Sequence, residues 1–206
     1  MRHRGKNSPH RVDEIRILGI DPGSITCGYG VIKTALRKDS RGQIEPSTPI
    51  YITSGSISLS PKSLLHLRLK KLHDELIEII REYRPQEMVV EHIFFAKSAK
   101  AALNLGHARG IALLAAAAEG LNVYEYSALE VKKAITGYGR AEKRQVQDMV
   151  MRILNLYHDP ESPELDSGSG DSGSGSNLTG DSADALALAI CHLNTMRFNE
   201  KLMSTC

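Results

Sequence analysis

What most constrains this chain is the order of its periodicities. Residues 16–20, 29–36 and 50–59 are short apolar or β-branched runs separated by turn and polar stretches, and they predict three early strands. After residue 60 the pattern becomes helical. Ser60-Pro61 has the form of an N-cap with proline at the first helical position. Leu65, Leu69, Leu72, Leu76, Ile79, Ile80 and Tyr83 then recur at three- and four-residue spacing until Arg84-Pro85 stops the helix. Residues 88–93 read as a buried strand, 98–119 as an alanine-rich helix and 123–126 as another strand. Ser127-Ala128-Leu129-Glu130 has capping-box spacing for a helix that Gly137-Tyr138-Gly139-Arg140 interrupts and that resumes over 141–156. A last helix is expected from Asp181 to about residue 198. Strands first and strand–helix alternation after imply an α/β fold: a five-stranded mixed sheet with helices on both faces.

At 206 residues and 41% hydrophobic, the chain is long enough for one domain with a sizeable core. That domain is expected over 16–198, with a disordered basic tail at 1–15, a C-terminal tail at 199–206 and a flexible insertion at 157–180 whose second half is Gly/Ser-rich. The sequon Asn177-Leu178-Thr179 is read as chance. The N-terminus lacks the apolar stretch of a signal peptide, and the longest uncharged apolar run, 110–118, is far below the roughly 20 residues of a membrane span. Cys27, Cys191 and Cys206, an odd number without a C-x-x-C pair, fit a reduced cytoplasmic setting.

The net charge of +2 hides a division. Residues 153–196 hold seven acids and no Lys or Arg, which leaves 26 bases against 17 acids, or +9, elsewhere. A solvated surface with an acidic loop would look this way, and so would an enzyme that meets a polyanion through metal ions. Four acids give the second reading content. Asp21 ends the first strand and Glu91 the fourth, where open α/β sheets bind ligands. Asp181 and Asp184, three apart at a helix start, share one face. Individually, Asp21 could be a turn residue, Asp181 an N-cap and Glu91 a solvent-facing strand end. Asp184, followed by Ala185-Leu186-Ala187-Leu188-Ala189, is harder to assign to the surface. Converging, the four would repel one another without cations between them. Oxygen donors without a His/Cys cluster favour Mg²⁺, with Mn²⁺ as a substitute. Two such ions about 4 Å apart could clamp a phosphodiester.

Residues 17–24 (Ile-Leu-Gly-Ile-Asp-Pro-Gly-Ser) with 28–32 (Gly-Tyr-Gly-Val-Ile) resemble the opening of the RuvC family of bacterial Holliday-junction resolvases. The blocks at 90–97, 105–110, 141–147 and 181–187 resemble the rest of that family in the same order, so the likeness covers about 16–196. It implies a ribonuclease-H-like fold, a homodimer nicking symmetric strands of four-way junction DNA, and partnership with a RuvA/RuvB-type branch-migration complex. By matched position, Asp21, Glu91, Asp181 and Asp184 take the family's catalytic, metal-holding places. Phe94 takes the place of an aromatic acting on junction bases, and Lys132 and Lys143 match lysines contacting DNA. The resemblance also suggests that part of 98–119 builds the dimer interface; an internal core helix is the other reading.

Independently of the resemblance, Lys132, Lys133, Arg140, Lys143 and Arg144 flank the Gly-Tyr-Gly break, where cations and free backbone N–H groups could hold phosphates. A solvated helix face is the plainer reading. His192 is taken as a structural histidine. The expected function is structure-specific endonuclease, leaving 5′-phosphate and 3′-hydroxyl ends. The competing classes are a non-catalytic junction-binding protein, an actin-like ATPase or sugar kinase on the same core, and a smaller relative acting on RNA.

Overall fold

The computed structural model of the chain describes residues 13–38, 44–92, 99–156 and 178–203. The tail expected at 1–15 and the insertion expected at 157–180 therefore fall largely outside the described residues, as does Phe94.

The early strands are β1 (Asp13–Asp21), β2 (Thr26–Lys38), β3 (Ile44–Pro46) and β4 (Ile50–Ser58). Then come α1 (Leu65–Tyr83), β5 (Glu87–Glu91), α2 (Ala99–Ala118), β6 (Asn122–Tyr126), α3 (Ala128–Thr136), α4 (Lys143–Ile153) and α5 (Gly180–Met203). β1, β2 and β4 form an antiparallel meander, while β5 and β6 add to β1 in parallel through the crossovers made by α1 and α2. All five expected strands are present in a mixed sheet.

Several boundaries differ from expectation. The sheet gains a sixth, three-residue strand, β3, which among the described residues pairs only with the far end of β2. β1 starts at Asp13 because its antiparallel ladder with β2 runs out to the Asp13–Leu36 pair. Ser60 caps a turn, through Lys62 N–H to its Oγ, and α1 begins five residues later. α5 runs on to Met203, since nothing in its last turns is a helix breaker.

Alternation along the strands divides the core into two. Leu18, Ile20, Val31, Met88 and Val90 point to the face covered by α1 and α2. Ile17, Ile32 and Val89 point to the face covered by α3, α4 and α5. α2 is long and apolar enough by length and composition to cross a bilayer, beyond what the 110–118 run suggested. In this fold it lays Ala108, Ala112, Ala115 and Ala116 into the first core, leaving Leu103, Gly106, Gly110 and Leu114 on its outer side.

On the second face, three glycines decide how closely α5 approaches. A Cβ at Gly19 would stand 1.9 Å from Ala185 O, one at Gly28 2.1 Å from Asp181 O, and one at Gly30 2.6 Å from Leu186 Cγ. Gly28 and Gly30 lie opposite Asp21 and Gly19 in the β1–β2 ladder. The first half of α5 therefore rests on bare backbone at the end of the sheet where Asp21 sits.

Candidate active site

Asp21 and Glu91 close neighbouring parallel strands, one step beyond the registered pair Ile20–Val90, so both carboxylates stand at the strands' carboxyl ends. They lie on the alternation parity of Ile17 and Val89, which aims them at the α5 face. α5 begins with Thr179 as its cap: Ser182 N–H donates to Thr179 Oγ1 at 3.2 Å. The capping role that Asp181 could have filled is thus taken, and Asp181 and Asp184 occupy the first turns over the glycine seat.

The product is a cleft of about 250 Å³ lined by Asp21, Glu91, Asp184, Lys132 and Lys143 over Val131, Val146, Ala187 and Leu188. Asp181 is not among the lining residues; half-buried, it is near enough to act electrostatically on Asp21. Lys132 comes from α3 and Lys143 from the start of α4. The Ser127–Glu130 capping box forms as expected at the head of α3, with Ser127 N–H donating to Glu130 Oε2 at 2.8 Å. Arg140, in the α3–α4 connection, and Arg144, on α4, are exposed outside the cleft lining.

Burial, followed by Glu91, Asp184 and Asp181, pushes the Asp21 carboxyl up to about 7. Burial and then Asp184 also push Glu91 upward, against the opposing pull of Lys143. Lys143 Nζ meets Asp184 Oδ2 at 2.5 Å, a contact that raises the lysine's own pKa. Negative charge is therefore crowded and under-compensated. Among the described residues no three acidic, His or Cys side chains are drawn into a ready-made ion cage. The donor set is nevertheless all carboxylate oxygen, mutually repelling and half-buried, which suits a hard divalent cation.

Two features of the fold around the site were not anticipated. The glycine seat was readable in principle, because glycines within strands mark close backbone approach. The second is a buried network at the other end of β5: His192 Nε2 lies 2.7 Å from Glu87 Oε2, and Tyr126 Oη 2.7 Å from His192 Nδ1. Tyr124 stacks on the same imidazole at 4.1 Å. His192 is 3% exposed and has partners at both ring nitrogens, so it is the structural histidine expected.

Comparison with known proteins bears on the whole arrangement. Residues 17–167 match the family model for crossover junction endodeoxyribonuclease RuvC. The chain belongs to the RuvC family. A RuvC from Desulforamulus reducens is 47% identical over 85% of this chain and 91% of its own length. One from Magnetococcus marinus is 40% identical over 92% of this chain and 89% of its own. The structure of Thermus thermophilus RuvC in complex with a Holliday junction superposes with a TM-score of 0.70 at 29% identity, covering 90% of this chain and 97% of that one. The family-model match ends before α5, so the case for Asp181 and Asp184 rests on the geometry that brings α5 to Asp21.

Proposed function

We propose that this RuvC-family endonuclease resolves four-way DNA junctions with divalent cations held by Asp21, Glu91, Asp181 and Asp184. The observation that supports this most directly is the convergence of Asp21, Glu91 and Asp184 at one cleft with Lys132 and Lys143 on its wall, and with Asp181 close enough to act on Asp21.

Mg²⁺ is the cation that best fits these oxygen donors, with Mn²⁺ able to replace it. A pair of such ions held by Asp21, Glu91, Asp181 and Asp184 would supply Lewis acidity and an activated water for phosphodiester hydrolysis to 5′-phosphate and 3′-hydroxyl ends. Asp21 and Glu91 fix one side of that position from the rigid sheet, and Asp184 fixes the other from α5. Lys132 and Lys143 draw the backbone phosphate to the cleft, while Arg140 and Arg144 extend the positive surface along the α3–α4 connection. The apolar floor limits water around the reacting groups. Phe94, outside the described residues, is proposed as the aromatic that acts on junction bases.

Resolution requires two symmetric nicks, which a two-fold dimer supplies. The outer side of α2, with Leu103, Gly106, Gly110 and Leu114 exposed, offers an uncharged strip for a second copy. A RuvA/RuvB-type partner and a cytoplasmic location accompany the family reading, and the buried free thiols Cys27 and Cys191 agree with a reducing compartment.

The test is cleavage of a synthetic four-way junction against linear duplex, with Mg²⁺ or EDTA, by wild type and Asp184→Asn. Paired metal-dependent nicks, lost in the variant by at least about a hundred-fold, are expected. Tight junction binding without cutting by the wild type would make the protein a binding module. Undiminished cutting by the variant would remove Asp184 from the site.

A further inference from the structure

Among the described residues, Asp184 is the one acid of the four with an ion-pair partner, and that partner belongs to a different helix. Lys143 is the first residue of α4, where the helix N-terminus disfavours a cation. The turn that presents it is fixed: Glu142 N–H donates to Gln145 Oε1 at 2.9 Å. From there the side chain crosses to the start of α5. Its Nζ lies 3.8 Å from where a Cβ on Gly180 would be, and it ends on Asp184 Oδ2. The side chain is still 60% exposed, so it can swing away without disturbing the core.

From this geometry we infer that Lys143 is the resident counter-ion of the acidic cleft: its ammonium competes with an incoming divalent cation for Asp184, and once displaced it becomes available to a DNA phosphate. The inference rests on the reading of the four acids as the cation site and adds an order to it. Before the ion arrives, the ammonium offsets part of the repulsion among the carboxylates and holds Asp184 in the cleft. The ion must break an exposed pair, which is weak enough to exchange. The released ammonium then lies beside the phosphate that the ion attracts. Cation and DNA binding thereby become coupled through one side chain, and the coupling is reciprocal.

The experiment measures Mn²⁺ binding to the full-length chain without DNA, reading free Mn²⁺ by electron paramagnetic resonance. Wild type is compared with Lys143→Met, Lys143→Arg and Arg144→Gln. Lys143→Met should bind Mn²⁺ about two- to five-fold tighter, the size expected when an exposed ion pair no longer competes. Lys143→Arg, which keeps the charge, should match wild type. Arg144→Gln, exposed one residue on, carries the same charge change without the contact and should move much less. The second readout is affinity for a junction with non-cleavable phosphate linkages at the scissile positions, which keeps both the DNA and the four acids intact. Lys143→Met should cost little in EDTA and at least about three-fold in Mn²⁺, when the ammonium has been freed for phosphate. Unchanged or weaker Mn²⁺ binding by Lys143→Met, an equal effect from Arg144→Gln, or the same DNA loss with and without metal would overturn the inference. Those results, with wild-type cleavage intact, leave the nuclease reading standing. Absence of Mn²⁺ binding in every protein would sink the cation site and the inference together.

Discussion

Glu87 and Glu91 stand at opposite ends of β5 and point to the same side of the sheet. Glu87 is received by His192, which is held in turn by Tyr126 and covered by Tyr124. Among the described residues Glu91 has no such reception: it opens into a cleft with Asp21 and Asp184, and there Lys143 alone eases its charge. The same residue type, strand and face yield a satisfied polar core at one end and an electrostatically unsettled site at the other. A buried acid is structural when its neighbours complete it and available for chemistry when its neighbours are acids.

The sharpest way to break this contrast is to neutralise each end. Glu91→Gln should leave folding intact and lower junction cleavage by at least about a hundred-fold. Glu87→Ala should do the reverse. Leaving His192 buried without its partner should reduce stability by about 3 kcal/mol in chemical denaturation, while the folded fraction still cuts. If Glu87→Ala abolished cleavage with unchanged stability, the division between the two ends would be wrong.

Asp21 carries the contrast into pH dependence. Its carboxyl is raised to about 7 in the folded chain, above the value of 3.8 that describes it in the unfolded one. The folded state therefore keeps a proton that the unfolded state has released. The resulting stability is fully present at low pH and is lost as pH climbs from about 4 through about 7. Asp21→Asn should stabilise the metal-free protein by about 1–3 kcal/mol at pH 8, a gain that fades as pH falls through about 7 and is nearly gone near pH 4, while abolishing cleavage. A loss of stability at pH 8 would mean that Asp21 has a compensating partner. The smallest expected effect lies outside the cleft. Arg144→Gln should weaken junction binding about two- to five-fold and flatten the logarithmic salt dependence by about one unit, the mark of a single phosphate contact.

Much of this was legible because strand ends and helix starts announce themselves. The apolar run before Asp21, the purely apolar Met88-Val89-Val90 before Glu91, and the i, i+3 spacing of Asp181 and Asp184 sufficed to suggest one acidic cleft. The Ser127–Glu130 capping box was readable for the same reason, since both partners lie within four residues. What escaped depends on distant partners. β3 is three residues long and is tied down from afar: Arg197 donates to Pro46 O and Ser47 O, and Thr34 Oγ1 donates to Ser47 O. The Glu87–His192 contact joins residues 105 apart, and no periodicity reports it. Ser60-Pro61 misled because a serine before proline suits a turn as well as a cap.

The glycine seat beneath α5 has a consequence for tolerance. Side chains packed between a helix and a sheet can be exchanged, and the gap then widens or narrows with their size. Here the gap at Gly19 and Gly28 is set by main chain against main chain, with no side chain to vary. The separation between the sheet's two acids and the helix's two acids is therefore a property of the backbone itself, a gauge block built into the fold. The stretch joining α4 to α5 can lengthen or change composition without altering that separation, whereas a single methyl group at Gly19 or Gly28 would throw the instrument out of calibration.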